Sequence, residues 1–474
     1  FAGSVSARNL HAMPATDYLI VTTTAFQPEA ERLAEAHRLM QGLDVTVVTQ
    51  NDIFDEFSSG SPHPNAVRKF VRMLRERPAK PLRYLLLMGA ATYDPRHNVS
   101  DDGIDYLTGY EVERPDHAAS MATDHATDLY FGFMTDRIAE NLSSTFIETS
   151  VSIGRAPVLT AAEARIFVDK CIAYLQEPRL AGRPDLAVLV ACEGDKDAHL
   201  KGSEKLRAIL MRNIPSVTCP RIYNALYPFD KKIERKPTFA PMASQVARGP
   251  FLLNYTGHSG AYEIGSVMSI SHIDRLTFTS MPVTFFASCE TTPVDAPFRG
   301  IGTKLFLHPS GPIALVGTGR DVYLNNNQTL NEEFARQISL PDGPERLGDV
   351  WRTTINLSGK NSSVQRTNNF CYNFLGDPAL PVRRPDRRAA VSFSSETGDA
   401  ESTLDAPSLS PLMLNGRITL ADGSTDTAFD GNITLSLYDA PLTTMRYAHA
   451  SGDSIKPMTL DEKLLYETSA EVKN

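Results

Sequence analysis

A thiol and an imidazole that emerge at the ends of two consecutive strands can carry out acyl transfer, and this sequence holds one such pair. His258 lies in FLLNYTGHSG, where the apolar run from Phe251 to Leu253 opens into a glycine-flanked turn. Cys289 follows PVTFFAS, a β-rich apolar run from Pro282 that opens into Glu290 and two threonines. Between them lie turn residues and Ser269 to Leu276 (SISHIDRL), which has the cap and periodicity of a short helix. A strand, crossover, strand unit of this length makes its strands parallel and adjacent, so both side chains arrive at one edge of the sheet.

A thiol attacks a carbonyl as its thiolate, and a neighbouring imidazole can take the proton. Backbone N–H groups in the loops after such strands can hold the oxyanion of the intermediate, and those of Ser259 and Cys289 are the candidates. Singly, a strand-end cysteine is usually a small buried hydrophobe and a turn histidine an ordinary hydrogen-bonder. The pairing is what carries weight. A zinc site at His258 and Cys289 would need further ligands at close spacing, which His272 and His308 do not supply.

The motifs NYTGHSG and FFASCE resemble those that carry the histidine and cysteine of the gingipain family of cysteine peptidases, which share the caspase-like fold. The resemblance continues through DYLIVTT at Asp17, VRKFVRML at Val67, RYLLLMGAATYDP at Arg83, TDLYFGFMTD at Thr127, IGRAPVLTAAEA at Ile153 and ACEGD at Ala191. It ends with GPIALVGTGRDVY at Gly311 and NNFCYNFLGDPAL at Asn368, which look most like the gingipain-like sortases of the type IX secretion system in Bacteroidetes bacteria. In order, these segments cover Asp17 to Arg383.

The resemblance implies that Cys289 is the nucleophile, His258 the general base and acid, and Glu193 the acid that orients the imidazole. Arginine-specific members place an aspartate in the primary pocket where Leu200 aligns here, with Asp195 and Asp197 nearby. A small or neutral residue at the cleavage site is therefore expected. Leu200, Glu290, Thr318 and Arg320 are the pocket candidates. The implied activity is that of a sortase: removal of a C-terminal signal domain from exported proteins, with the acyl group passed to water or to an amine of a surface glycan such as lipopolysaccharide. The implied setting is the cell surface, on the outer membrane, with other secretion components as partners. No cofactor is required by that chemistry. Two other readings are a secreted gingipain-like protease that degrades proteins and a non-catalytic scaffold of the secretion machinery.

The rest of the sequence sets bounds. The chain has 474 residues and a net charge of −9, with no basic, aromatic-interleaved patch, which speaks against nucleic acid. Its five cysteines (Cys171, Cys192, Cys219, Cys289, Cys371) are widely spaced and odd in number, so a disulfide framework is not expected. Cys192, one residue before Glu193, is the rival nucleophile by position. No signal-like start and no long apolar span occur, and the chain reads as a mature or excised piece of a longer protein.

The element pattern predicts α/β architecture in two sub-units with mainly parallel sheets, which the resemblance implies is caspase-like, followed by a partial all-β, immunoglobulin-like module. Residues 1–16 read as a linker or the end of an upstream domain, 17–165 as the first sub-unit and 166–384 as the catalytic sub-unit. Residues 385–409 read as a spacer and 410–474 as the β module. Helices are expected over PEAERLAEAHRLMQG with a stop at Gly42, over PNAVRKFVRMLRER, and over TAAEARIFVDKCIAY with Thr160 as N-cap. Tyr93 to Arg155 reads as a long acidic loop, in which Asp124, His125 and Asp128 are candidates for a structural calcium ion or substrate contacts.

Overall fold

The computed structural model describes residues 8–99, 102–112, 124–135, 146–177, 185–231, 237–383, 387–395, 398–400, 411, 413–420, 423–446, 457–460 and 464–472. Ten strands form one sheet. The first four are β1 (Tyr18–Thr22), β2 (Val45–Thr49), β3 (Tyr84–Met88) and β4 (Ser152–Ala156). Then come β5 (Ala187–Ala191), β6 (Arg221–Tyr223), β7 (Leu252–Thr256), β8 (Val283–Ala287), β9 (Ala314–Thr318) and β10 (Tyr372–Gly376). Their spatial order is β2-β1-β3-β4-β10-β9-β8-β7-β5-β6. Every neighbouring pair is parallel except β9 with β10. The strands of the two expected sub-units thus lie in one continuous sheet, whose single reversal of direction falls between β9 and β10.

Almost every residue of these strands is buried, Thr46 being half-buried. Runs such as YLIVT and YLLLM are apolar throughout because helices cover both faces and no strand side faces water. The helices begin and end where their caps dictate. α1 (Gln27–Gln41) stops at Gly42, whose φ of 62° is a left-handed conformation open to glycine at little cost. α2 (Gln50–Phe57) starts directly off β2, with Thr49 and Asp52 forming a capping box. α3 spans Pro64–Arg75, and α4 (Ala161–Gln176) is capped by Thr160, whose side chain accepts from the Glu163 N–H at 3.1 Å. Among the described residues no helix is long and apolar enough to cross a membrane.

Two strands of this sheet lie where no strand was expected. β4 falls inside the expected loop because its Arg155 interrupts the apolar run. That arginine is fully buried, its guanidinium on both carboxylate oxygens of Asp128 (Nε at 3.0 and 2.9 Å, Nη2 to Oδ1 at 2.6 Å) and on the Gly89 carbonyl at 2.9 Å. β10 pairs with β4 at Leu375 and Arg155 and with β9 on its other side, joining the two sets of parallel strands. There the backbones approach so closely that a Cβ on Gly154 would lie 2.2 Å from the Gly376 carbonyl oxygen.

The Arg155–Asp128 pair bridges β4 to the segment after residue 124, and its removal has a definite expected outcome. Breaking a buried, hydrogen-bonded ion pair from one side leaves an uncompensated charge and costs about 3–5 kcal/mol. Asp128→Ala is therefore expected to lower unfolding stability by that amount in a denaturant titration. A loss below about 1 kcal/mol, the value typical of solvated pairs, would contradict the assignment.

The chain divides into two compact units. One comprises residues 1–177, 185–382 and 443–459; the other comprises 178–184, 383–442 and 460–474. The first includes the short expected linker, since Leu10 is buried in the core beside a 3-10 turn at Leu10–Ala12. It also includes Arg446, which clasps Asp197 through Nη1 to Oδ1 at 3.0 Å and Nη2 to Oδ2 at 3.2 Å.

In the second unit, antiparallel strands run over Arg387–Ser395, Gly398–Ala400 and Met413–Leu420, and Gly431–Tyr438 pairs with Leu464–Val472. The all-β tail thus begins within the stretch read as a spacer. There the alternation in AAVSFS matters more than the surrounding charge. Residues 401–410 of that stretch lie outside the described residues.

Candidate active site

β7 and β8 place the thiol and imidazole. They are parallel neighbours in register, Thr256 opposite Ala287, and His258 and Cys289 each stand two positions further on. Neighbouring strands run about 4.8 Å apart. The crossover between them is a three-stranded hairpin motif over Ser259–Gly260, Glu263–Ile264 and Met268–Ser269, then a 3-10 turn at Ile270–Arg275 rather than an α-helix. Ser269 and His272 form its capping box.

The loop after β7 is fixed from below. Tyr255, buried on β7, donates its hydroxyl hydrogen to the His258 carbonyl at 2.5 Å, and the Gly265 N–H donates to the same oxygen at 2.8 Å. A Cβ at Gly257 would lie 2.5 Å from both the Tyr255 hydroxyl oxygen and the Cys192 Cβ, so only glycine lets this loop turn over them. The Gly265 bond also makes Ser259 and Ile264 a pair that does not exchange hydrogen bonds, which turns the Ser259 N–H away from the hairpin. The Ser259 hydroxyl donates to the Cys289 carbonyl and ties the two loops together.

The His258 imidazole projects outward, its side chain 67% exposed. Its Nε2 is 2.7 Å from Asp195 Oδ2, and the same oxygen is 3.0 Å from His199 Nε2. Asp195 sits in a loop with three successive left-handed residues (φ 50°, 55° and 66° at Asp195, Lys196 and Asp197), after which α5 (Ala198–Asn213) begins. Partial burial would raise the Asp195 pKa, but the hydrogen bonds and charges of His258 and His199 outweigh it and hold the carboxyl below its usual range.

The expected orienting acid was Glu193; the acid whose bond to the imidazole defines this site is Asp195, two residues on. Glu193 is half-buried, two residues beyond the end of β5. Asp195 and His199 escaped sequence reasoning as site residues, although an Asp and a His four apart at a helix start was the available signal.

Of the five cysteines, Cys289 alone is not fully buried. Its thiol is nonetheless pushed up to about 11, first by burial and then by the negative charges of Asp321 and Glu290. Glu290 directly after it has a left-handed φ of 54°, a strained conformation for a side-chain-bearing residue. That turn is held by its N–H donating to the Arg320 carbonyl at 3.3 Å. Cys192, the rival nucleophile, is buried beneath the loop at Gly257, with its thiol raised by burial.

The other candidate residues divide clearly. Glu290 flanks the thiol. Thr318 is fully buried and donates its hydroxyl to the Ser288 carbonyl at 2.6 Å, so it supports the Cys289 loop from behind and does not line a pocket. Arg320 presents its guanidinium to Asp295 (3.1 and 2.7 Å) and braces the same loop through its carbonyl. Leu200 packs into the core from α5. Asp128 is no calcium ligand here, since both its oxygens face Arg155; Asp124 is exposed.

The model of peptidase family C25 matches residues 11–383. No curated protein sequence matches the chain. The fold is similar to that of the Arg-specific cysteine proteinase gingipain R (RgpB), with a TM-score of 0.60, 16% identity, and coverage of 90% of this chain and 95% of that one. A complex of the pro- and mature domains of Porphyromonas gingivalis RgpB gives a TM-score of 0.58 at 16% identity, covering 88% and 96%. Dimeric latent PorU from Porphyromonas gingivalis gives 0.47 at 22% identity, covering 100% of this chain and 40% of that one.

Proposed function

Because the chain belongs to peptidase family C25, the gingipain family of cysteine peptidases, we propose that it cleaves peptide bonds through Cys289 and His258 and acts as a sortase on exported proteins. The observation that carries the catalytic part is the register of β7 and β8, which delivers the least buried of the five cysteines and an exposed imidazole to one sheet edge. The sortase part is supported by the motif resemblance over Gly311 to Leu380.

In this reading His258 takes the Cys289 proton and Sγ attacks the scissile carbonyl carbon. The oxyanion is met by the Ser259 and Cys289 N–H groups. As the C–N bond breaks, the imidazolium returns its proton to the leaving amine, the C-terminal signal domain. The thioester is then resolved by water or by a glycan amine, whose proton passes to the imidazole. Asp195 holds the ring for both transfers, the task of the third member of a triad, with Glu193 as a second acid beyond the end of β5. Glu290 and Asp321 border the thiol and would disfavour an acidic residue at the cleavage site. The setting is the cell surface, with outer-membrane secretion components as partners.

The test uses an exported protein bearing a C-terminal signal domain, incubated with the chain and hydroxylamine as a small amine acceptor. The expected product is the shortened protein carrying a C-terminal hydroxamate, identified by mass. Cleavage that yields only the free acid would reduce the reading to a plain protease, and no cleavage with an intact fold would favour a non-catalytic scaffold.

A further inference from the structure

The loop before α5 and the loop after β7 bring together three metal-ligating side chains. The donor atoms of Asp195, His199 and His258 all lie within 4.8 Å of one another. Asp195 Oδ2 sits between the two Nε2 atoms, and the imidazole rings stand nearly perpendicular, at 81° with centroids 5.0 Å apart. His199 is buried and its Nδ1 has no hydrogen-bond partner among the described residues, so the only nitrogen of the ring with a polar partner there is the one that faces the cluster. His258 and Asp195 are open to solvent, which leaves room for water on an ion held there.

We propose that Asp195, His199 and His258 form a binding site for a divalent transition metal of the zinc class. Two imidazoles and one carboxylate suit zinc, whereas calcium and magnesium take oxygen donors. Small movements bring all three donors to the 2.0–2.2 Å typical of zinc bonds. The site differs from the peptidase centre in using no thiol, yet it shares His258 with it. If the proposed peptidase reading holds, an ion on His258 Nε2 leaves the ring's own proton on Nδ1, the nitrogen that must otherwise accept the Cys289 proton. Zinc is then an inhibitor, and its removal activates the enzyme.

The test is zinc titration of the whole chain against a chromophoric chelator, repeated with cobalt(II) for its absorption spectrum. One equivalent is expected to bind, without the sulfur-to-metal band of a thiolate ligand. Affinity should fall at least about tenfold in His199→Ala and in His258→Ala, since each removes one of three protein ligands, and stay unchanged in Cys289→Ala. Near-UV circular dichroism checks each fold. His258→Ala, a change on an exposed loop, keeps the test decisive if the buried His199 variant does not fold. Equal affinity in His258→Ala, a cobalt–sulfur band lost with Cys289, or no saturable binding would overturn the site. Zinc binding by an inactive protein would refute the peptidase reading and leave this one standing; an active, zinc-indifferent enzyme would do the reverse.

Discussion

Cys289→Ala is expected to reduce peptide-bond cleavage at least about a thousandfold, to the level that binding and oxyanion stabilisation alone supply. The substitution removes one sulfur from a half-buried position, so the melting temperature should change little. Cys192→Ala is the informative companion. Its side chain lies beneath the Gly257 turn and the residue is only 8% exposed. That variant should keep activity within about tenfold of the parent, the span of an ordinary packing change. Equal loss in both, or loss only in Cys192→Ala, would place the nucleophile elsewhere. The readout is cleavage rate together with the mass of a trapped acyl-enzyme.

The second large effect concerns pH. With its thiol pushed up to about 11, Cys289 is almost wholly protonated at neutrality in the resting protein. Alkylation by iodoacetamide should therefore be slow at pH 7 and rise about tenfold per pH unit until it levels near 11. Burial is the main cause, and Asp321 and Glu290 add to it. Asp321→Asn or Glu290→Gln should move the midpoint down and speed labelling at pH 7 to 8. The sign for stability follows from the same shift. A thiol that holds its proton more tightly when folded favours the folded chain below the unfolded value near 9, and that contribution is lost as pH climbs towards 11. A labelling midpoint at or below 8 would mean that the imidazole already holds the thiolate as an ion pair.

Much of this was legible in the sequence, for reasons of local chemistry. β7 and β8 read correctly because their apolar runs end in glycine or small polar residues, and the intervening length fixed them as parallel neighbours. α1 and α4 read correctly because Gly42 and Thr160 mark their limits. What stayed hidden depends on partners distant in the chain. Arg155 looked like a loop residue until Asp128 and the Gly89 carbonyl enclosed it. The choice of Asp195 at the imidazole turns on three left-handed residues whose conformation no propensity announces. The raised Cys289 thiol reflects Asp321, thirty-two positions onward, as much as its immediate neighbours.

The Arg446–Asp197 clasp bears on where this molecule can be cut. The family match stops at 383, but the body it describes borrows its last counter-charge from a residue 249 positions beyond Asp197. Asp197 stands at the start of α5, two residues after Asp195 in the same left-handed run, so its partner steadies the turn that aims His258. A chain shortened to the matched region would bury that carboxylate without its arginine. During synthesis, likewise, the loop beside the imidazole waits for the tail to emerge before its geometry is complete.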